Sequence, residues 1–319
     1  METLYEGRVE PADIDNLGHM NVRVYSRKAA LATHELAARL GMDGTFLTDF
    51  GAVIHLVDSH IHFRREQLEG APLAVNGGVL SADESAVTAY LELSNTDSGD
   101  LAATFTNTFQ LCDAPTRNVG TIPADAVNAA SGLMVTRPDH ANPRSLPIAP
   151  LRTDFTLHRM VDANVHQRID DYSVEADDCD AHGFMDLSNG VHLPFAKMPI
   201  KFARQGKGVS KEEERDNAKW SDMSVAIVTM ESRQHIFATP RLGDTVHTRS
   251  IHAHVGEKSL TFNHWVFNKE TGEPYALLAQ FGLGFDLDAR KTIPFPDDMR
   301  ANLERHMYLE FSDILAEEA

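Results

Sequence analysis

A chain of 319 residues with an apolar fraction of 42% holds enough material for about two packed domains, which excludes disorder along its whole length. Its formal net charge of −18 argues against broad binding to nucleic acid or anionic membranes, so an anionic ligand has to be met by a local basic cluster. No apolar run reaches the ~18 residues of a membrane span; residues 1–8 carry no leader pattern, and two cysteines (Cys112, Cys179) make no disulfide framework, so a cytoplasmic location is expected.

Taken in chain order, a strand is expected over residues 4–10, leading into the polar loop Asp13-Ile14-Asp15-Asn16-Leu17-Gly18-His19-Met20-Asn21. A helix follows over 22–40, where Tyr25, Ala29, Ala32, Leu36 and Leu40 recur at three- and four-residue spacing and Gly41 stands as a stop. Strands are expected over 52–63, 73–80, 86–94 and 101–111, separated by Gly-, Asp- and Ser-bearing turns. Residues 1–123 therefore read as one α+β unit, a long antiparallel sheet wrapped around a central helix. Residues 124–162, with Pro138, Pro143, Pro147 and Pro150, read as an ordered but irregular linker.

The order then repeats over 163–296: a strand over 165–174, a helix over 187–205 and strands over 225–237, 245–255, 260–268 and 275–285. Pro194 and Pro199 should distort that second helix, since an interior proline removes a hydrogen bond and clashes with the preceding turn. Residues 297–319 read as an acidic terminal helix.

The repeat is also visible residue by residue. Val9, Glu10, Asp13, Asp15, Gly18 and Met20 recur as Val174, Glu175, Asp178, Asp180, Gly183 and Met185, at a constant offset of 165. Asp49, Ser59, His62 and Gly70 recur as Asp222, Ser232, His235 and Gly243 at an offset of 173, the polar stretch 206–215 accounting for the extra residues. A unit this long, occurring twice, means two similar domains and not a solenoid of short repeats.

The loop carries the candidate chemistry. A carboxylate of ordinary pKa about 3.9 is ionised at neutral pH, so Asp15 can attack a carbonyl or activate water. The loop enters a helix directly, and the first-turn N–H groups near Asn21 and Val22 can hold a developing oxyanion. His19 and Asn21 can orient water or the carboxylate, although Asn21 serves equally well as a helix cap. Asp13 and Asn16 are read as turn and cap residues.

A strand, Asp13-x-Asp15-x-x-Gly18-His19-x-Asn21, a helix and four strands resemble the hotdog-fold acyl thioesterases, nearest the hydroxybenzoyl-CoA thioesterase-like branch. The resemblance implies a tandem (double) hotdog. It implies an acyl-CoA thioesterase with Asp15 at the catalytic Asp position and the helix start as oxyanion hole. Gly18, Arg23, Arg27, Lys28, Arg64 and Arg65 become the expected substrate contacts, with no metal or redox cofactor beyond the CoA of the substrate. The partner is an acyl-CoA, with no nucleic acid and no membrane, and the protomers are expected to form a homo-oligomer. The acyl-carrier-protein thioesterases of this fold carry an Asn where this chain has Leu17.

In the second copy Phe184 and Asp186 replace His19 and Asn21, so Asp180 with His182 is read either as a decayed site or as an altered working one, decay being favoured. The pairs His60/His62 and His252/His254 are read as ordinary sheet histidines, since no third ligand of metal-site spacing follows. Two rivals stay open. One is a hotdog hydratase or dehydratase, for which Asp177 and His182 have the spacing but Cys179-Asp180 occupies the intervening Asn-Pro positions. The other is a non-catalytic acyl-thioester binding protein.

Overall fold

The computed structural model describes residues 1–167, 169–200 and 225–316. They form two compact units, the first made of Met1–Asn142 with Asp178–His192, the second of Pro143–Asp177 with Leu193–Ala319. These units are drawn otherwise than the repeats, because the second copy of the polar loop packs within the first unit.

In the first unit five antiparallel strands run in the order β1 (Glu2–Arg8), β3 (Pro72–Ala82), β4 (Val87–Asn95), β5 (Leu101–Asp113), β2 (Ala52–Phe63). Helix α1 (Val22–Arg39) packs against all five strands. Its buried stripe is built from Tyr25, Ala29, Ala32, Leu36 and Ala37, and alanines bring a helix close to a sheet. Asn21 caps it by accepting the Arg23 N–H, and Gly41, at φ +89°, turns the chain away at its end. A second helix, α2 (Gly44–Phe50), was not anticipated; Asp43 starts it by accepting the Phe46 N–H at 2.9 Å. A third, α3 (Ala124–Ala130), lies in the expected linker.

The second unit holds α4 (Leu157–Asp162), capped by Thr156, and the strand order β7 (Val225–Ile236), β10 (Pro274–Asp286), β9 (Ser259–Asn268), β8 (Thr245–Val255), β6 (Tyr172–Ser173), with β11 (Lys291–Thr292) on β10. The two sheets share one register. Ser59 faces Asn107 and Gly77 faces Leu91 in the first; Ser232 faces Gln280 and Ser250 faces His264 in the second, each residue 173 further on. Even the irregularities correspond: the ladder skips between Leu56 and Asp58 and between Val79 and Ser81, then again between Thr229 and Glu231 and between His252 and His254. Such bulges re-aim side chains. His252 is accordingly buried, with Nδ1 2.7 Å from Leu303 O, while His254 is exposed, so the two do not form a matched pair on one face.

Three expected elements differ. The strand over 165–174 shrinks to Tyr172–Ser173, because the approach is bent by Asn164 at φ +54° and tied to Asp171, which accepts from Gln167 and Lys269 and meets His247. The helix over 187–205 is absent from its described part, 187–200, where a single 3-10 turn (Leu193–Phe195) stands; residues 201–205 lie outside the described residues. Gly190 at φ +66°, Pro194 and Pro199 account for this, since none suits a helix interior. The terminal helix α5 (Asp297–Glu304) is short, and the chain then turns so that Phe311 enters a core cluster with Phe155, Trp265 and Phe267. Among the described residues no helix is long and apolar enough to cross a membrane.

Candidate active site

The polar loop of the first copy is a small hairpin closed on itself. Asp15 N–H donates to His19 O at 3.0 Å, Gly18 N–H to Asp15 O at 3.2 Å, and Asn21 N–H to Asp13 O at 2.9 Å. Gly18 makes the turn at φ +84°, a conformation costly for a residue with a Cβ. A second clasp comes from the end of β2: Gln67 O accepts the Met20 N–H at 2.8 Å, and Arg65 O accepts the Tyr25 hydroxyl at 2.9 Å. Burial chiefly, then the negative charges of Glu66 and Asp15, raise the Tyr25 phenol above its ordinary pKa, so it remains a donor.

Within this frame the two aspartates are sorted. Asp13 is 2% exposed and surrounded by Arg27, Lys28 Nζ at 3.5 Å and the Glu10 N–H at 3.1 Å, a structural carboxylate that ties the loop to α1. Asp15 is only partly covered, its side chain 13% exposed. Its Oδ1 accepts the Leu17 N–H at 2.9 Å, its Oδ2 accepts from Asn21 Nδ2 at 3.2 Å, and His19 Nδ1 stands 3.7 Å from Oδ1. His19 Nε2 in turn lies 3.6 Å from Glu66 Oε1, so His19 sits between two carboxylates. Glu66 was missed by the sequence reading; its only signal was its place directly after Arg64-Arg65 at the end of β2.

Of the two backbone donors expected at the helix start, the Asn21 N–H is engaged by Asp13 O. Val22, the first residue of α1, then supplies the candidate oxyanion N–H, at the positive end of the helix dipole. Among the expected basic contacts, Arg27 is held by Asp13 and Arg64 by His140 O. Arg23 is largely covered, its Nε 3.4 Å from Asn21 Oδ1, and burial lowers its pKa. Arg65 is exposed, as is Gly18.

The second loop reproduces four turn hydrogen bonds of the first. Asp180 N–H donates to Phe184 O at 2.8 Å, Gly183 N–H to Asp180 O at 3.1 Å, Asp186 N–H to Asp178 O at 2.8 Å, and His182 N–H to Asp180 Oδ1 at 2.9 Å. Gly183 takes φ +75°. What differs is the carboxylate's company. Asp180 Oδ1 also accepts the Phe184 N–H at 3.2 Å, and Oδ2 pairs with Arg117, whose guanidinium lies 4.6 Å over the Phe184 ring. Desolvation pushes this carboxyl up, but the His182 and Phe184 amides and Arg117 outweigh it and hold it below the ordinary value. His182 meets Asp180 through its backbone, with its side chain exposed, and no helix follows to offer donors in the described stretch.

The sequence profile of the Thioesterase-like superfamily matches residues 9–130 and 174–303, one match per repeat. Among solved structures the chain is similar to a provisionally described oleoyl thioesterase from Lactobacillus plantarum, at 15% identity and TM-score 0.61, covering 91% of this chain and 96% of that one. It is similar also to an acyl-ACP thioesterase from Bacteroides thetaiotaomicron (12% identity, TM-score 0.61, 87% and 96% covered). A third is the 12:0-ACP thioesterase from Umbellularia californica (10% identity, TM-score 0.62, 88% and 93% covered). The likeness is one of fold, and the fold is the tandem hotdog expected from the repeat, with the second central helix as the point of departure among the described residues.

Proposed function

This chain belongs to the thioesterase-like superfamily, and from that premise we propose that it hydrolyses an acyl-CoA thioester to a carboxylate and a free thiol at the first loop. The observation that carries the reading is Asp15, a partly exposed carboxylate oriented by Leu17 N–H and the Asn21 amide at the N-terminus of α1. A substrate carbonyl placed over that terminus has the Val22 N–H to polarise it, and Asp15 within reach to attack it or to take a proton from water. As a base, Asp15 takes a proton from the water whose oxygen joins the acyl carbon; as a nucleophile, it forms an acyl anhydride that water then cleaves, returning the carboxylate. In both routes the carbon–sulfur bond breaks and the thiolate takes a proton from the medium or from His19. His19, between Asp15 and Glu66, holds the carboxylate or passes the proton.

Thiol release from a panel of acyl-CoAs tests this directly. Wild type should release thiol, and Asp15→Asn should lose about 10²-fold or more of kcat/KM while keeping the fold, because an amide is neither base nor anionic nucleophile. Near-normal turnover in Asp15→Asn places the chemistry elsewhere. A change in acyl absorbance without thiol release marks a hydratase instead.

A further inference from the structure

A strap from the second repeat, Leu187 to His192, lies along one face of α1. His34 Nε2 stands 3.1 Å from Ser188 O, and Ser26 Oγ stands 2.7 Å from His192 Nε2. Between them Gly190 passes so near that a Cβ there would lie 2.7 Å from Ser26 O and 3.0 Å from the Ala30 Cβ. Ser26, Ala30 and His34 are four residues apart and share a helix face. Arg23, one turn earlier, extends that stripe towards the candidate site, for its Nε is 3.4 Å from Asn21 Oδ1 and Asn21 Nδ2 is 3.2 Å from Asp15 Oδ2.

His192 is 2% exposed, and its Nδ1 has no hydrogen-bond partner among the described residues. Buried polar side-chain atoms are overwhelmingly satisfied, and this one, on a ring held by Ser26 and facing the charge of Arg23 on the helix that begins at the candidate site, points to a ligand. Burial, and after it the charge of Arg23, lower the His192 pKa to about 4, so the ring is neutral at pH 7. A neutral imidazole has one donor and one acceptor; the Ser26 hydroxyl uses one and Nδ1 keeps the other.

We infer that the Ser26–His192 pair reads the acyl part of the substrate, with His192 Nδ1 hydrogen-bonding an oxygen carried partway along it. The preferred substrate is then a thioester of a hydroxylated or oxo-bearing acyl group, not of a plain hydrocarbon. This rests on the thioester reading above. Ser26 is five residues beyond Asn21, roughly 7.5 Å along the axis at 1.5 Å per residue, which sets the oxygen about six bonds from the thioester carbon. A site built to hydrogen-bond a substrate oxygen rejects the analogue lacking it far more sharply than a site that sorts by size.

Binding of two non-hydrolysable thioethers, S-hexyl-CoA and S-(6-hydroxyhexyl)-CoA, measured by calorimetry on the full chain, tests the inference without turnover. The hydroxylated analogue should bind about tenfold tighter or better to wild type. His192→Phe should bring the ratio to about one, chiefly by weakening the hydroxylated analogue. Ser26→Ala should move it the same way, and it serves where the Phe variant does not fold. Equal affinities in wild type, binding of neither analogue, or a ratio kept in both variants overturns the inference. Selective binding without thiol release from the matching thioesters overturns the hydrolase reading alone and leaves the role of His192 standing.

Discussion

At the scale of single residues, His192 also ties stability to pH. Its folded pKa of about 4 lies below the ordinary 6.5, so on acidification the unfolded chain takes up its proton first. The contribution is therefore fully present above pH 6.5 and is lost as pH falls from there towards 4. At 1.36 kcal/mol per unit, the loss between pH 7.5 and 5 is about 2 kcal/mol from this one group. Denaturant unfolding at the two pH values should show His192→Phe losing about that much less than wild type. His34 and His247, whose pKa values burial also lowers, are common to both proteins and cancel in the comparison. An equal fall in the two proteins would mean that the imidazole already accepts a proton in the folded chain.

At the scale of elements, the two loops show how one backbone skeleton can hold two chemistries. The turn hydrogen bonds cited for the two loops correspond, and what separates the loops is the company of the carboxylate: Phe184 and Asp186 stand where the first loop has His19 and Asn21, and Arg117, 63 residues away in sequence, closes on Asp180. Asp180→Asn should therefore leave turnover within a few-fold of wild type, in contrast to Asp15→Asn. It should lower stability by about 1–3 kcal/mol, since it removes the anion facing an Arg117 side chain that is only 12% exposed. Equal losses of turnover in the two variants, each near half, would instead mean two working sites. The sequence made the loops legible because Asp, Gly and Met fall at fixed spacing. It made α1 legible through its alanine and leucine stripe, and the long strands through their turn residues. Arg117 and Glu66 could not be read, because each joins its loop through tertiary packing and neither follows from local periodicity. The failed helix after Asp186 was readable only as distortion: prolines announce that a helix breaks, but not that the chain will instead lie along α1 with His192 inward.

At the scale of the whole molecule, the repeat boundary is not the folding boundary. The first compact unit includes Asp178–His192, which the chain delivers only after passing through Pro143–Asp177 of the other unit. On that segment Phe184, Met185, Leu187, Gly190 and His192 are buried. At about 1.5–3 kcal/mol for each large apolar side chain, its three large apolar residues alone represent several kcal/mol. That is a large share of the 5–15 kcal/mol by which a domain is usually stable. A fragment of residues 1–142 keeps α1 and all five strands of its sheet, yet it bares the face of Ser26 and Ala30 and leaves Arg117 without its carboxylate. We expect it to unfold at markedly lower denaturant than the same fragment joined by a flexible Gly/Ser linker to residues 178–192, the joined form recovering one cooperative transition. The linker is needed only to raise the local concentration of the strap, so its exact length should matter little once it spans the gap. If the bare fragment unfolds at the same denaturant concentration and with the same slope as the joined one, the strap adds nothing to the stability of the unit, and the burial of its side chains does not stabilise α1.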